Sequence, residues 1–245
     1  MPETASRGSS TAHSGTARSS TAHSFHSRIG VGLAGGFYPA PHRYELFLSA
    51  GCPRSLRISI TLCLLGLNDS VATTLLTRPA ETPEGFAALR RAYEATVHHY
   101  DGPLTSPALC DRWSGRIVSN RTPDILRDLA GLLSGHDEAR PSALHPSALA
   151  PDIEELRDLL ERSVTPSARP AARTAALDLL ERRLPLRPYA LGAELTAADV
   201  DLWVALTQPG AAGSLCAHPR LQDFVRRLGG HPAFPCARDA VTDAA

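Results

Sequence analysis

The chain has no lysine; every one of its 25 basic residues is an arginine. That absence excludes a Schiff-base mechanism and a phosphate-binding loop of the lysine type, because both need an ε-amine. Together with abundant Ala, Pro and Gly, it matches a G+C-biased coding sequence rather than an arginine-specific task. A net charge is lacking too: 25 acidic residues balance the arginines, so no bulk field favours nucleic acid or an anionic membrane. The five cysteines (52, 63, 110, 216 and 236) include no Cys-x-x-Cys pair and no Cys/His cluster with zinc spacing. A disulfide framework and a metal site are therefore not expected, and the expected setting is a reducing cytoplasm. No apolar run reaches membrane-spanning length, and the first residues carry no apolar core of a signal peptide. What the 245 residues do offer is length enough for two small cores.

The most informative stretch is Arg43-Tyr-Glu-Leu-Phe-Leu-Ser-Ala-Gly-Cys-Pro-Arg-Ser-Leu-Arg57. Tyr44, Leu46 and Leu48 alternate with Glu45, Phe47 and Ser49, which suits a strand whose two faces meet different surroundings. Gly51 permits a sharp turn, and Pro53 suits the first helical position, where its missing N–H leaves nothing unsatisfied. Cys52 then lies over the positive end of a helix, which favours thiolate over thiol. Arg54 and Arg57, one turn further on, add positive charge that lowers the thiol pKa.

Residues 1–24 read as a disordered Ser/Thr/Ala/His tail in which Ser-Ser-Thr-Ala-His-Ser occurs at 9–14 and 19–24. His13 and His23 belong to that solvated tail rather than to a metal site. Residues 25–42 are a Gly- and Pro-rich lead-in expected to wrap onto a domain at 43–134. Within that domain a helix carries Leu56, Ile60, Cys63 and Leu64 and stops at Gly66, and a second strand covers 71–77. Helical material around 86–97 follows, with Phe86, Leu89, Tyr93 and Val97 on one face. A strand then follows Pro107, 111–115 form a hairpin turn, and 116–119 the returning strand. A helix over 123–133 takes Thr122 as its N-cap. The order is β-α-β-α-β-β-α.

Residues 135–150 read as a linker, and 151–236 as wholly helical, with 237–245 a disordered tail. Ile153, Leu156, Leu159 and Leu160 make one stripe, and Ala175, Leu177, Leu180 and Leu184 another. Leu195-Thr-Ala-Ala-Asp-Val200 predicts a capping box between Thr196 and Asp199, with Leu195 and Val200 as its apolar staple. A last helix covers 220–228. Cys63, Cys110 and Trp203 are expected in the core. His98, His99 and Asp111 are read as a helix end and a turn.

A thioredoxin-like α/β half followed by an all-α half with Leu-Thr-Ala-Ala-Asp resembles the cytosolic glutathione transferases. Within them the likeness is to the cysteine-type branch, most of all the glutathionyl-hydroquinone reductases of the xi class, with the omega class next. It rests on Phe25-His-Ser-Arg-Ile-Gly30, on Gly36-Phe-Tyr-Pro-Ala40, on Arg43-Tyr-Glu-Leu-Phe-Leu-Ser49 and on Cys52-Pro-Arg-Ser-Leu-Arg57. Ser106-Pro107, Ile117-Val-Ser-Asn120 and the capping box complete it, over residues 25–234.

The resemblance implies that Cys52 is the catalytic nucleophile and that Pro53, Arg54, Arg57, Ser106, Pro107, Arg121 and Thr122 border the thiol ligand. It implies a cis bond before Pro107, whose preceding backbone pairs with the cysteinyl part of that ligand. Where the family has Trp-Ala-His after Cys-Pro, this chain has Arg54, Ser55 and Leu56. The family's Glu-Ser pair, which holds the γ-glutamyl end of glutathione, is Arg121-Thr122 here. A cation thus stands where a carboxylate receives the ammonium, which favours an anionic or sugar-bearing thiol, such as mycothiol, over glutathione.

The reading that follows is a thiol transferase in which Cys52 attacks the sulfur of an aromatic or quinone-derived S-conjugate or mixed disulfide. A low-molecular-weight thiol is its cofactor, with no metal, nucleic acid or membrane partner, and a homodimer is implied by the family. Two alternatives stay open: a thiol-adding or isomerising transferase in a biosynthetic pathway, and a non-catalytic binding protein of the same fold.

Overall fold

The structure is a computed structural model that describes residues 23–30, 36–133, 144–184, 188–209 and 211–234. The expected tails at 1–22 and 237–245, most of the expected linker and Cys236 lie outside the described residues.

The first half runs β1 (Tyr44–Ser49), α1 (Pro53–Leu65), β2 (Ala72–Leu76), α2 (Pro83–Thr96), β3 (Ala108–Asp111), β4 (Arg116–Ser119) and α3 (Thr122–Asp128). The four strands form one sheet in the order β2-β1-β3-β4, with β2 parallel to β1 and β3 and β4 antiparallel to their neighbours. This is the thioredoxin-like arrangement with its central strand, β1, leading directly into Cys52. Tyr44, Leu46 and Leu48 on one face of β1 pack with Ile58 and Leu62 of α1 and Ile125 of α3. Phe47, on the other face, packs with Leu89, Ala92 and Tyr93 of α2. The alternation of the sequence therefore separates two buried layers, not a buried face from a wet one.

Helix α1 is buried almost all round. Ile58 and Leu62 meet the sheet, while Leu56 and Ile60 enter the core of the helical half. Each such side chain taken out of water contributes about 1.5–3 kcal/mol. The Leu56–Ile60–Cys63–Leu64 stripe is thus the interface with the second half, and Cys63 at its end is half-buried beside Asn68 rather than in the core. Gly66 ends the helix in the left-handed conformation, φ 65°.

The expected N-cap of α3 moves by one residue. Arg121 is the cap, because its carbonyl accepts the first helical N–H, from Ile125 at 3.0 Å, and Thr122 is already helical. Just before the helix, Ser119 Oγ at the end of β4 accepts the Arg121 N–H at 3.1 Å. Beyond Asp128 the helix widens into a π-turn over Leu129–Leu133.

The helical half follows as a 3₁₀ turn at Ser147–Leu149, then α4 (Ala150–Ser163), α5 (Pro170–Arg183), α6 (Ala197–Thr207), α7 (Ala212–Leu215) and α8 (Pro219–Gly229). Helix α6 is buried from Ala198 to Leu206 and forms the axis on which α1, α4 and α8 pack. Its N-terminus carries the expected capping box, with the Thr196 N–H donating to Asp199 Oδ2 at 2.8 Å. Asp199 Oδ1 also accepts the Ala190 N–H at 2.7 Å, so one carboxylate closes the preceding loop as well. In α5 the inward residue is Ala176, not the expected Ala175, which is exposed; Leu177 and Leu180 face the core as the spacing predicts. Trp203 is buried, and its indole N–H donates to the Val225 carbonyl at 3.1 Å.

The lead-in wraps onto the first half. Phe25 N–H donates to Asn120 Oδ1 at 2.9 Å, and Ile29 is fully buried against the α1 face of the sheet. His23 and Ser24, read from sequence as tail, are placed here: Asn120 Nδ2 donates to the His23 carbonyl at 2.8 Å.

Candidate active site

Cys52 occupies the junction that its sequence context requires. Gly51 turns the chain at φ 66°, Cys52 itself is extended (φ −88°, ψ 119°) as an N-cap, and Pro53 opens α1. Its carbonyl takes the first helical hydrogen bond, from Leu56 N–H at 2.9 Å. The sulfur is half-buried over the first amides of α1, which are aimed at an anion. Burial pushes the thiol pKa up. The Ser55 amide and hydroxyl, the Arg54 amide and the Arg54 charge outweigh it, and the net shift is below the ordinary thiol range. Ser55 is fully buried and its oxygen also accepts the Ser49 N–H at 2.9 Å, which fixes the hydroxyl against the end of β1.

Next to this turn lies a cleft of about 550 Å³ between the two halves. Of the residues expected at the site, Arg54, Arg57, Ser106, Arg121 and Thr122 line it. Cys52, Pro53 and Pro107 are not in the lining; Cys52 precedes by two residues Arg54, which is. The Ser106–Pro107 bond is cis, as the resemblance implies, and the Ser106 hydroxyl touches that of Ser49 at the end of β1. The 105–106 segment is anchored from below, since Tyr93 Oη and Asn120 Nδ2 both reach Thr105 Oγ1, at 2.7 and 3.0 Å. His23 and Ser24 contribute to the same wall.

At the start of α3, Arg121 points beside the cleft with Nη1 3.2 Å from His26 Nδ1 and 3.4 Å from Asp124 Oδ2. The carboxylate of Asp124 also faces Arg127, at 3.7 Å, so it is shared between two guanidiniums. The Thr122 side chain, buried at the first helical position, belongs to the same corner.

Arg57 lines the cleft and also meets the helical half, where Nε lies 3.3 Å from Asp201 Oδ1 and Nη1 3.4 Å from Glu161. The charge that stabilises the Cys52 thiolate is that of Arg54. Nε of Arg57 is buried and its contact with Asp201 is off the hydrogen-bonding direction, which leaves that N–H unsatisfied. Asp201 accepts a direct hydrogen bond from Arg157 Nε at 2.9 Å on its other oxygen. The sequence reading missed Arg157, Glu161 and Asp201. Their signal was present: Arg157 interrupts the apolar face of Ile153, Leu156 and Leu160, and Asp201 is the one charged residue of α6 beyond its capping Asp199.

Four arginines (54, 57, 121 and 157) and one carboxylate, Glu161, are the ionised side chains in the lining. The counter-charges of Asp201 and Asp124 lie behind the wall, with their side chains 1% and 11% exposed. The cleft is therefore cationic on its surface although the chain is neutral overall.

The remaining expected residues lie elsewhere. Cys110 is buried in β3, and burial pushes its thiol up to about 12, so it stays neutral and inert. Asp111 is held by Arg43, whose Nε donates to it at 2.7 Å, and His98 stacks on His99; Asp111 is thus engaged in a structural ion pair.

No family model matches the chain. Among curated proteins, it is 27% identical to the glutathionyl-hydroquinone reductase PcpF of Sphingobium chlorophenolicum, over 82% of this chain and 72% of that one. It is 26% identical to the glutathionyl-hydroquinone reductase YqjG of Escherichia coli strain K12, over 80% and 69%. Among solved structures, the xi glutathione transferase of Phanerochaete chrysosporium superposes with a TM-score of 0.69 at 25% identity, covering 89% of this chain and 88% of that one. The chain is a glutathione-transferase-like enzyme. Its likeness is to xi-class glutathione transferases and to glutathionyl-hydroquinone reductases.

Proposed function

We propose that the protein is a thiol-dependent reductase of S-conjugates in which Cys52 is the nucleophile. The observation that carries this reading is the Cys52 sulfur at the N-terminus of α1, its pKa lowered, two residues before Arg54 of the cationic cleft. The thiolate attacks the sulfur of a thiol conjugate of a quinone-type or other aromatic ring. The carbon–sulfur bond breaks, the ring carbon takes the bonding pair and a proton, and a mixed disulfide remains on Cys52. A second thiol attacks that disulfide, leaves as the oxidised disulfide and returns the Cys52 thiolate. The names of the curated relatives support the reductase class, and the Escherichia coli relative has been solved with glutathione bound.

Ser106, beside the cis bond, and Thr122, at the start of α3, are the groups we assign to the thiol ligand, with Pro53, Arg54 and Pro107 around its sulfur. Arg121 supports a ligand without a free ammonium at the α3 corner: an anionic or sugar-bearing thiol such as mycothiol. We infer further a cytoplasmic homodimer built on the two-domain division at about residue 150; no helix among the described residues is long and apolar enough to cross a membrane. The test is intact-mass analysis after incubation with an aromatic S-conjugate of a candidate thiol. A mass increase of one thiol, localised to Cys52 and absent from Cys52→Ser, is the expected result. Turnover by Cys52→Ser at the native rate would overturn the mechanism.

A further inference from the structure

Arg57 of α1 and Arg157 of α4 approach the cleft from opposite halves of the molecule, and both are buried, with exposures of 8% and 5%. The Nε atoms of both lie against Asp201, at 3.3 and 2.9 Å. Their Nη1 atoms turn to rim carboxylates, Arg57 to Glu161 at 3.4 Å and Arg157 to Glu154 at 2.9 Å. Nη2 of each guanidinium takes part in none of these contacts. Two guanidiniums around one buried carboxylate leave a positive charge at the cleft floor. The rim acids that oppose it are 56% and 43% exposed, where water screens their field. A buried guanidinium with a free edge matches a planar or tetrahedral oxyanion in a way that a solvated cation does not. Pro123 and Leu126 stand in the same lining and supply an apolar surface for a ring.

We propose that the Arg57–Arg157 pair is an anion subsite for the electrophilic substrate. It selects aromatic sulfur compounds that carry a carboxylate or sulfonate. The inference rests on the reading of Cys52 as the nucleophile in this cleft, and it names the substrate class that reading leaves open. The subsite lies on the α4–α6 side of the cleft, apart from the α3 corner assigned to the thiol, so one molecule's sulfur and charged ring are held together.

The test uses two aromatic disulfides, the dianionic 5,5′-dithiobis(2-nitrobenzoate) and the neutral 2,2′-dithiodipyridine. In each reaction the Cys52 thiolate forms a bond to one sulfur, the S–S bond breaks, and an aryl thiolate leaves with the bonding pair and is read by its absorbance. The quantity measured is the ratio of the Cys52-dependent rates with the two probes, the other thiols being subtracted with Cys52→Ser. Arg157→Gln is expected to lower the anionic-to-neutral ratio about tenfold, and Glu161→Gln, which removes a rim carboxylate, to raise it about threefold. Glu161 is largely exposed, so its variant decides the matter if Arg157→Gln does not fold. A ratio that neither substitution moves in the expected sense overturns the subsite while leaving the nucleophile in place. Release of aryl thiolate by Cys52→Ser as fast as by the native protein overturns the nucleophile instead.

Discussion

Arg57 Nε lies 3.3 Å from Asp201 Oδ1, and the two residues come from different halves of the chain. Arg57 is on the helix that begins at Cys52, and Asp201 is on the buried axis of the helical half. The ion pair therefore ties the orientation of the helix that follows Cys52 to the helical half. Arg157 completes the link from α4, so the cleft is closed on that side by a charge network instead of by apolar packing alone.

Removal of the central carboxylate tests how much that network contributes. Asp201→Asn leaves two buried guanidiniums with no buried counter-charge, and the expected loss of unfolding free energy is about 3–5 kcal/mol. Urea unfolding followed by circular dichroism measures it. Glu161→Gln, on the exposed rim, is expected to cost less than about 1 kcal/mol. Burial pushes the Asp201 carboxyl up against the pull of Arg157 and Arg57. A loss for Asp201→Asn as small as that for Glu161→Gln would mean that the carboxyl is already protonated and the guanidiniums need no anion there.

The thiolate at Cys52 has a direct pH signature. Alkylation by iodoacetamide follows the thiolate fraction, so its rate is expected to rise through an inflection lower than that of an ordinary thiol. Loss of a group that favours the anion moves that inflection up: Ser55→Ala removes the hydroxyl and Arg54→Gln the charge. Arg57→Gln is expected to leave it in place, because Arg57 is engaged with Asp201 and Glu161. An inflection that follows Arg57 and ignores Arg54 would contradict the assignment.

The first half was legible in sequence because its signals are local. Gly51, Pro53 and Gly66 define α1 by backbone geometry that few other residues allow, and the Thr196–Asp199 pair defines the start of α6 in the same way. The site was legible only along the chain. Cys52, Arg54, Ser106, Arg121 and Thr122 were named as motif residues, whereas Arg157 and Glu161 reach the cleft, and Asp201 the wall behind it, by packing of helices far apart in sequence. The contact of Arg57 with the helical half was hidden for the same reason. Its distance from Cys52 along the helix was visible, but the carboxylate that it meets lies 144 positions later, read from the two residue numbers. The α3 cap lies one residue earlier because Thr122 is already helical and the Arg121 carbonyl accepts the first helical N–H.

Cys110 gives a second pH dependence, of opposite use. Its folded thiol holds its proton to about 12, while in the unfolded chain it ionises near the ordinary value of about 8.5. A raised folded pKa means that the contribution to stability is fully present below the unfolded value and is lost as pH rises towards the folded one. Between those limits the native protein is expected to lose up to about 1.4 kcal/mol per pH unit through this group. Cys110→Ala removes that slope. Urea midpoints at pH 7.5, 9 and 10.5 measure it, each pH being a chosen condition spaced by about the width of one titration. Parallel declines in the two proteins would show that the thiol ionises in the folded state.

The last prediction concerns the thiol itself. Arg121 stands at the α3 corner, where its guanidinium is held by Asp124 and His26, and a ligand ammonium would meet a like charge there. Arg121→Glu reverses that sign. It places a carboxylate at a helix N-terminus, where the dipole favours negative charge, and Arg127 remains to balance Asp124. Glutathione carries a free ammonium at its γ-glutamyl end, so its affinity is expected to rise about tenfold, or about 1.4 kcal/mol, by calorimetry. A thiol that lacks the ammonium and carries an anion or sugars at that end is expected to bind the native protein more tightly than the variant. If Arg121→Glu weakens glutathione instead, the ammonium does not sit at this corner, and Arg121 contacts a carboxylate of the same ligand.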